Sequence, residues 1–111
     1  MKLFISKQQD EITDETLRAH VERRARFAFA RFADALGTVR VRLEDINGPR
    51  GGLDKRCVVH IRGPGFGELV VERIDSAWGG AIDRALSLGG RAVAKSLGRL
   101  RPLRRRVQEA V

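Results

Sequence analysis

Cations set on a helical repeat are the residues of this chain with the clearest chemistry to offer. At about 100° per residue, His20, Arg23, Arg24, Phe27 and Arg31 fall on one side of a helical segment. The opposite side carries an apolar stripe of Leu17, Val21, Ala25, Ala28, Phe32 and Leu36. A second segment repeats the arrangement. Arg84, Ser87, Arg91 and Lys95, with Arg99 beside them, run opposite Trp78, Ile82, Ala85, Leu86, Gly89, Val93, Leu97 and Leu100. The second row holds no acid, whereas a merely solvated helix face interleaves both signs. Arginine suits phosphate because its planar guanidinium donates paired hydrogen bonds to the oxygens. Phe27, an aromatic among cations, has the shape to stack on a base or lie along a groove. A lone surface hydrophobe, or a contact with a neighbouring element, accounts for it equally well.

A third group of cations, Arg50, Lys55 and Arg56, lies in residues 45–57, D-I-N-G-P-R-G-G-L-D-K-R-C. Asn47-Gly48-Pro49 is turn chemistry, since glycine allows positive φ and proline fixes φ. The segment reads as a long hairpin tip that holds its cations away from a sheet. Such tips often carry binding residues, and a hairpin with incidental charge fits the same composition.

Catalytic readings find little support. His20, His60 and Cys57 are the only soft ligands, too few for a closed zinc site. Alternation places His60 on the water-facing side of its strand and Cys57 on the other, so the two do not form a dyad, and Cys57 reads as a small core residue. Asp10, Glu11, Asp14 and Glu15 read as helix-capping acids. Gly63-Pro64-Gly65-Phe66-Gly67 precedes a strand and lacks the lysine of a phosphate-binding loop. No cofactor, metal or small-molecule substrate is expected.

The balance of charge points the same way as the rows. Lys and Arg total 22 against 14 Asp and Glu, for a formal net charge of +8. The isoelectric point of about 11.2 is the electrostatic footprint of a nucleic-acid binder. The 111 residues are expected to form a single domain over 1–111, ending in a short basic tail from about 101. The N-terminus has too short an apolar stretch for a signal peptide. No apolar run is long enough to cross a bilayer, and a lone cysteine excludes an internal disulfide. The expected location is the cytoplasm.

Six elements must position these residues. A strand over 2–8 precedes a helix over about 14–36, with Thr13 as N-cap and Gly37 just past its end. Strands follow at 38–44, 56–62 and 66–74 on period-two alternation. A second helix, capped by Asp75 or Ser76, is expected to stop before Pro102. The order β-α-β-β-β-α implies a parallel first pair and antiparallel hairpins after it. The expected fold is α+β: a two-layer sandwich, with a four-stranded mixed sheet carrying both long helices on one face. Five glycines in the second helix (79, 80, 89, 90 and 98) each cost about 1 kcal/mol relative to alanine. Gly89 faces inward and would permit close approach to the sheet, whereas Gly80 and Gly90 have no packing reason visible in the sequence.

Several segments, in order and over nearly the whole chain, resemble the ribosome hibernation promoting factor family, also described as ribosome-associated inhibitors, in its short form. They are I-T-D-E-T-L-R-A-H-V-E-R-R, the hairpin N-G-P-R-G-G-L-D-K-R-C, G-E-L-V-V-E, and A-I-D-R-A before a basic helix end. The resemblance implies a domain that binds the rRNA of the small ribosomal subunit in the mRNA and tRNA channel and silences translation under stress. By that resemblance Arg23, Arg24 and Arg31 on the first helix, and Arg84, Arg91, Lys95 and Arg99 on the second, contact rRNA. The sequence departs from its relatives at Trp78-Gly79-Gly80-Ala81, where an aromatic followed by two alanines is common. Long members of the family carry an additional ribosome-pairing domain, and none is expected here. The implied partner is the small subunit and its rRNA, with no membrane and with room for weak self-association. A general structured-RNA binder or RNA chaperone is the alternative. A nuclease using His60 or the acidic cluster is a third class, short of site chemistry.

Overall fold

Period-two alternation builds a sheet with one dry face. Along β3 (Thr38–Asp45), Val39, Val41 and Leu43 are buried while Arg40 and Arg42 between them are exposed. In β4 (Lys55–Gly63) Cys57, Val59 and Ile61 are fully buried, and of the residues between them Val58 is also buried and His60 partly so. The structure is a computed structural model that describes residues 1–8, 10–47 and 52–110, and side chains among these except at 10, 11 and 99–110. The remaining elements are β1 (Lys2–Lys7), β2 (Asp10–Glu11), α1 (Glu15–Phe29), a 3₁₀ segment (Ala30–Ala35), β5 (Gly67–Asp75) and α2 (Trp78–Ala110).

The strand order is β2-β1-β3-β4-β5. β1 runs parallel to β3 with Leu3 beside Val39, and the β3–β4 and β4–β5 pairs are antiparallel. This is the expected four-stranded mixed sheet of an α+β fold, with the two-residue β2 added at its edge against Ser6 and Lys7. The extra strand forms because Gln8 takes a positive φ of 58°, which turns the chain back on β1.

Both helices pack on the dry face. Val21, Ala25 and Phe29 of α1 join Ile82, Leu86 and Val93 of α2 and the inward residues of β3 and β4 in one core. Phe29, fully buried, was not in the stripe read from the sequence. It continues the i+4 row of Val21 and Ala25 on the inward face, where Ala28 is only partly buried. Beyond it the chain tightens into the 3₁₀ segment, in which Phe32 too is only partly buried. That change of pitch rotates the later residues. The helix is therefore shorter than the span expected over 14–36. Gly37 closes no helix; its N–H donates to the Arg62 carbonyl at 2.8 Å and starts the β3 ladder.

The caps also shift by one residue. Asp14, not Thr13, is the N-cap of α1, and its carboxylate accepts from the Leu17 N–H at 3.1 Å. Asp75 leads into α2 by accepting from the N–H groups of Ser76 and Ala77. α2 continues past Pro102. The expected stop does not occur, although an interior proline removes one bond of the ladder and crowds the carbonyl four residues earlier.

Two glycines of α2 have packing reasons after all. A Cβ at Gly90 would lie 2.9 Å from the Ala28 carbonyl oxygen, so the absent side chain is what lets α2 approach the α1 backbone. A Cβ at Gly80 would lie 2.5 Å from the Asp75 carboxylate. A Cβ at Gly89 would lie 3.2 Å from Ile61 and from Phe29, the close approach to the sheet expected of this position. At Gly98 a Cβ would meet nothing.

Gly90→Ala and Gly98→Ala should therefore move stability in opposite directions. Gly98→Ala gains up to about 1 kcal/mol of helix propensity. Gly90→Ala loses about 1–3 kcal/mol to overpacking against a backbone atom, less that same gain. Urea denaturation of the two variants checks this, and equal shifts of the same sign would refute it.

Candidate nucleic-acid interface

The close seam at Gly90 leaves an open groove between α1 and α2. It has a volume of about 590 Å³, and Arg24, Phe27, Arg31, Phe32, Ser87 and Arg91 are among its lining residues. Helical spacing explains why they meet. Arg24, Phe27 and Arg31 repeat at three and four along α1 and its 3₁₀ extension, while Ser87 and Arg91 do so along α2. Phe27 is 79% exposed, and the Arg24 guanidinium lies 5.7 Å from its ring centre. Arg31 similarly covers Phe32 at 5.0 Å. The groove thus offers guanidinium groups and an open aromatic face side by side.

A second hollow of about 250 Å³ adjoins it, lined by Arg73, Asp83, Arg84, Ser87 and Arg91. Ser87 and Arg91 line both, so the cationic surface is continuous across α2. Arg73 was missed in the sequence, where its strand was read for its apolar residues. The signal was available: Leu69, Val71 and Arg73 share one face of β5 by period two, which brings Arg73 under α2.

Two acids interrupt this surface. Asp83 accepts from the ring Nε2 of His20 at 2.8 Å and pairs with Arg24 Nε at 3.1 Å, tying α1 to α2. His20 and Arg24 are therefore held at the helix seam. Arg84 lies 3.5 Å from the Asp75 carboxylate yet stays 70% exposed. Asp75 itself is held below the ordinary carboxylate range. The Ala77 and Ser76 backbone N–H groups are the main cause, and Arg84 adds to it. Arg23, Arg31, Arg91 and Lys95 are exposed, and among the described residues no carboxylate pairs with them.

The hairpin cations are placed differently from expectation. Lys55 and Arg56 are not at the tip but within β4, opposite Asp45 and Glu44. Lys55 pairs with Asp45 at 2.8 Å and Asp54 at 3.1 Å. The hydrogen bond to Asp45, then that to Asp54, raises its pKa. Its ammonium also lies 5.3 Å from the Trp78 ring centre. Arg56 reaches Glu44 at 3.5 Å and Glu72 at 3.9 Å, on the sheet face away from the helices. The ladder extends to Asp45 and Lys55 because these two complete an ion pair across it. Arg50 lies outside the described residues, as does the side chain of Arg99. Cys57 is buried and its thiol is pushed up to about 12 by desolvation. His60 points to the other face of β4, so the two form no dyad.

Among solved structures, the chain is similar to a ribosomal subunit interface protein from Coxiella burnetii, with a TM-score of 0.70 and 16% identity over 88% of this chain and 99% of that one. It is also similar to the N-terminal domain of Protein Y from Thermus thermophilus, with a TM-score of 0.65 and 28% identity over 86% and 98% of the two chains. Both are proteins of the hibernation promoting factor family, so the resemblance seen in the sequence extends to the fold. No protein-family model and no curated protein matches the chain.

Because its folded pKa is lowered, the Asp75 carboxylate contributes stability that is present above its unfolded pKa and lost as pH falls through the folded value. Asp75→Asn should be less stable than the parent at neutral pH, and the gap should close in acid. Thermal melts across a pH series test this. A gap that stays constant from neutral pH into acid would mean the carboxylate charge has no part in it.

Proposed function

We propose that this protein binds rRNA of the small ribosomal subunit through the groove between its helices. By occupying the channel of mRNA and tRNA it would silence translation under stress. The observation that carries this reading is the continuous cationic surface around Arg31, Arg91 and Lys95 with Phe27 open beside it. Arginines and a bare aromatic face together match the phosphates and unstacked bases of folded RNA. The likeness to a ribosomal subunit interface protein and to Protein Y supports the ribosome as the address. The protein acts by occupancy, without catalysis, and in the cytoplasm.

Residues divide by how free they are. Arg23, Arg31, Arg91 and Lys95 can turn to phosphate at no cost in broken ion pairs. Arg84 contacts RNA by leaving or sharing Asp75, and Arg24 and His20 chiefly hold the groove's shape. The last pair are positioning residues in this scheme. Occupancy of the channel makes the protein and mRNA with initiator tRNA mutually exclusive, so each loses occupancy by mass action as the other rises.

The triple variant Arg31→Ala, Arg91→Ala, Lys95→Ala should keep its fold, since exposed substitutions usually shift stability by less than about 0.5 kcal/mol each. Its co-sedimentation with small subunits should fall at least about tenfold, and the log–log salt slope should shrink by about 0.7–0.9 per lost phosphate contact. Parent-like pelleting with a parent-like slope would remove the groove from the interface. In cell-free translation, preformed initiation complexes should resist the protein and vacant subunits should be captured. Equal inhibition in both orders of addition would argue against occlusion. Absence of inhibition, with tight binding to generic RNA hairpins, would favour a general structured-RNA binder.

A further inference from the structure

On the face of the sheet away from the helices the side chains are arranged in an ordered row. The strand registers align Phe4 with Arg40, Arg40 with His60 and His60 with Val70 across β1, β3, β4 and β5. Phe4 is 44% exposed and Val70 is 55% exposed. The Arg40 guanidinium lies 4.6 Å from the centre of the Phe4 ring. A cleft of about 310 Å³ opens here, lined by Phe4, Ser6, Arg40, Arg42 and His60 among others.

Arg40, like Arg62 in the adjoining row, differs from Arg42 and Arg56. Arg42 is bonded to Glu44 at 2.8 Å, and Arg56 is shared between Glu44 and Glu72. Among the described residues no carboxylate pairs with Arg40. His60 Nδ1 lies 3.2 Å from Glu68, while its Nε2 is buried with no hydrogen-bond partner among the described residues. Such unused groups call for an explanation. The acids of this face are Glu68 and Glu72 on β5 and Glu44 near the far end of β3. The half formed by β1 and the first residues of β3 carries Lys2, Phe4, Ser6, Thr38 and Arg40, with no acid among them.

We propose that this open sheet face is a second RNA site, separate from the groove between the helices, which takes one unpaired nucleotide. A guanidinium stacked on an aromatic ring presents its outer plane to a base, and bases stack on such planes. Ser6 offers donor and acceptor capacity to a base edge, and the His60 imidazole lines the cleft beside it. Arg42 and Lys2 flank the cleft where phosphates of an extended strand would pass. A duplex keeps its base planes inside its own stack, so only a single strand can use this platform. The cleft lies at the lower end of the range of ligand pockets, about 300–1,000 Å³, which suits a single nucleotide. Glu68 and Glu72 on β5, with Glu44 near the end of β3, confine a polyanion to β1 and the first residues of β3. An acidic peptide would satisfy Arg40 but leave the stacked planes unused.

The test is titration of the isotopically labelled protein with hexauridylate and hexaadenylate, followed by NMR. Saturable shifts should appear at Phe4, Ser6, Arg40, Arg42 and His60. Arg40→Gln should weaken binding about tenfold, a loss in the range of a single stacking contact, with circular dichroism unchanged. Shifts confined to the helix groove would overturn the proposal, as would parent-like affinity in Arg40→Gln. So would inorganic phosphate or hexaglutamate binding at these residues as tightly as RNA, which would leave an anion patch or an acidic-peptide site. If Arg40→Gln does not fold, the shift map of the parent decides alone.

Discussion

The arrangement of the whole molecule depends on how closely α2 lies against α1. Gly90 has no side chain where the Ala28 carbonyl needs the space, and Gly89 beside it admits Phe29 and Ile61. One glycine sets the distance to the helix and its neighbour sets the distance to the sheet. Each costs about 1 kcal/mol in helix propensity, and the buried contact of Phe29, Leu86 and Val93 in the shared core offsets it. Because the seam is close, arginines on two separate helices border one groove. A wider seam would leave two solvated faces with nothing between them.

Charge is distributed by the same logic. Several acids of the described chain sit where the fold needs a cation held. Asp83 ties His20 and Arg24 across the helix seam, and Asp45 and Asp54 hold Lys55 at the start of β4. Glu44 bridges Arg42 and Arg56 on the open sheet face. Asp75 takes the first N–H groups of the turn into α2, and Arg84 lies within reach of it. The cations these acids leave over, including Arg23, Arg31, Arg91 and Lys95, carry the excess behind the net charge of +8. A basic surface of this kind is attractive at long range yet still contains groups with no internal bond to break.

The wall of the groove is rigid where it matters. Arg24 and Arg31 lie over the rings of Phe27 and Phe32, which limits the rotamers of otherwise long, free side chains. Ser87 and Arg91 come from the middle of α2, whose opposite face is locked by Leu86 and Val93 in the core. Binding groups on well-packed helices lose less entropy when they meet a partner than the same groups on a loop.

Much of this was legible in the residues alone. Period two located the strands and their dry face, because a half-buried strand cannot hide its alternation, and period near 3.6 located both helices and their outward cations. The order of elements limited the topology to a parallel first pair followed by hairpins. The interactions that only the folded chain creates were not legible. The value of Asp83 depends on His20, 63 positions away in the chain, and the reason for Gly90 is a carbonyl on another helix. Lys55 and Arg56 looked like loop cations until the ladder set them against Asp45 and Glu44. Arg73 joined the cationic surface, and Phe4 met Arg40, through strand registers that no local pattern encodes. Local periodicity records which side of an element faces water. Which charges are spent on one another and which remain for a partner depends on through-space distances, and these exist only once the elements have packed.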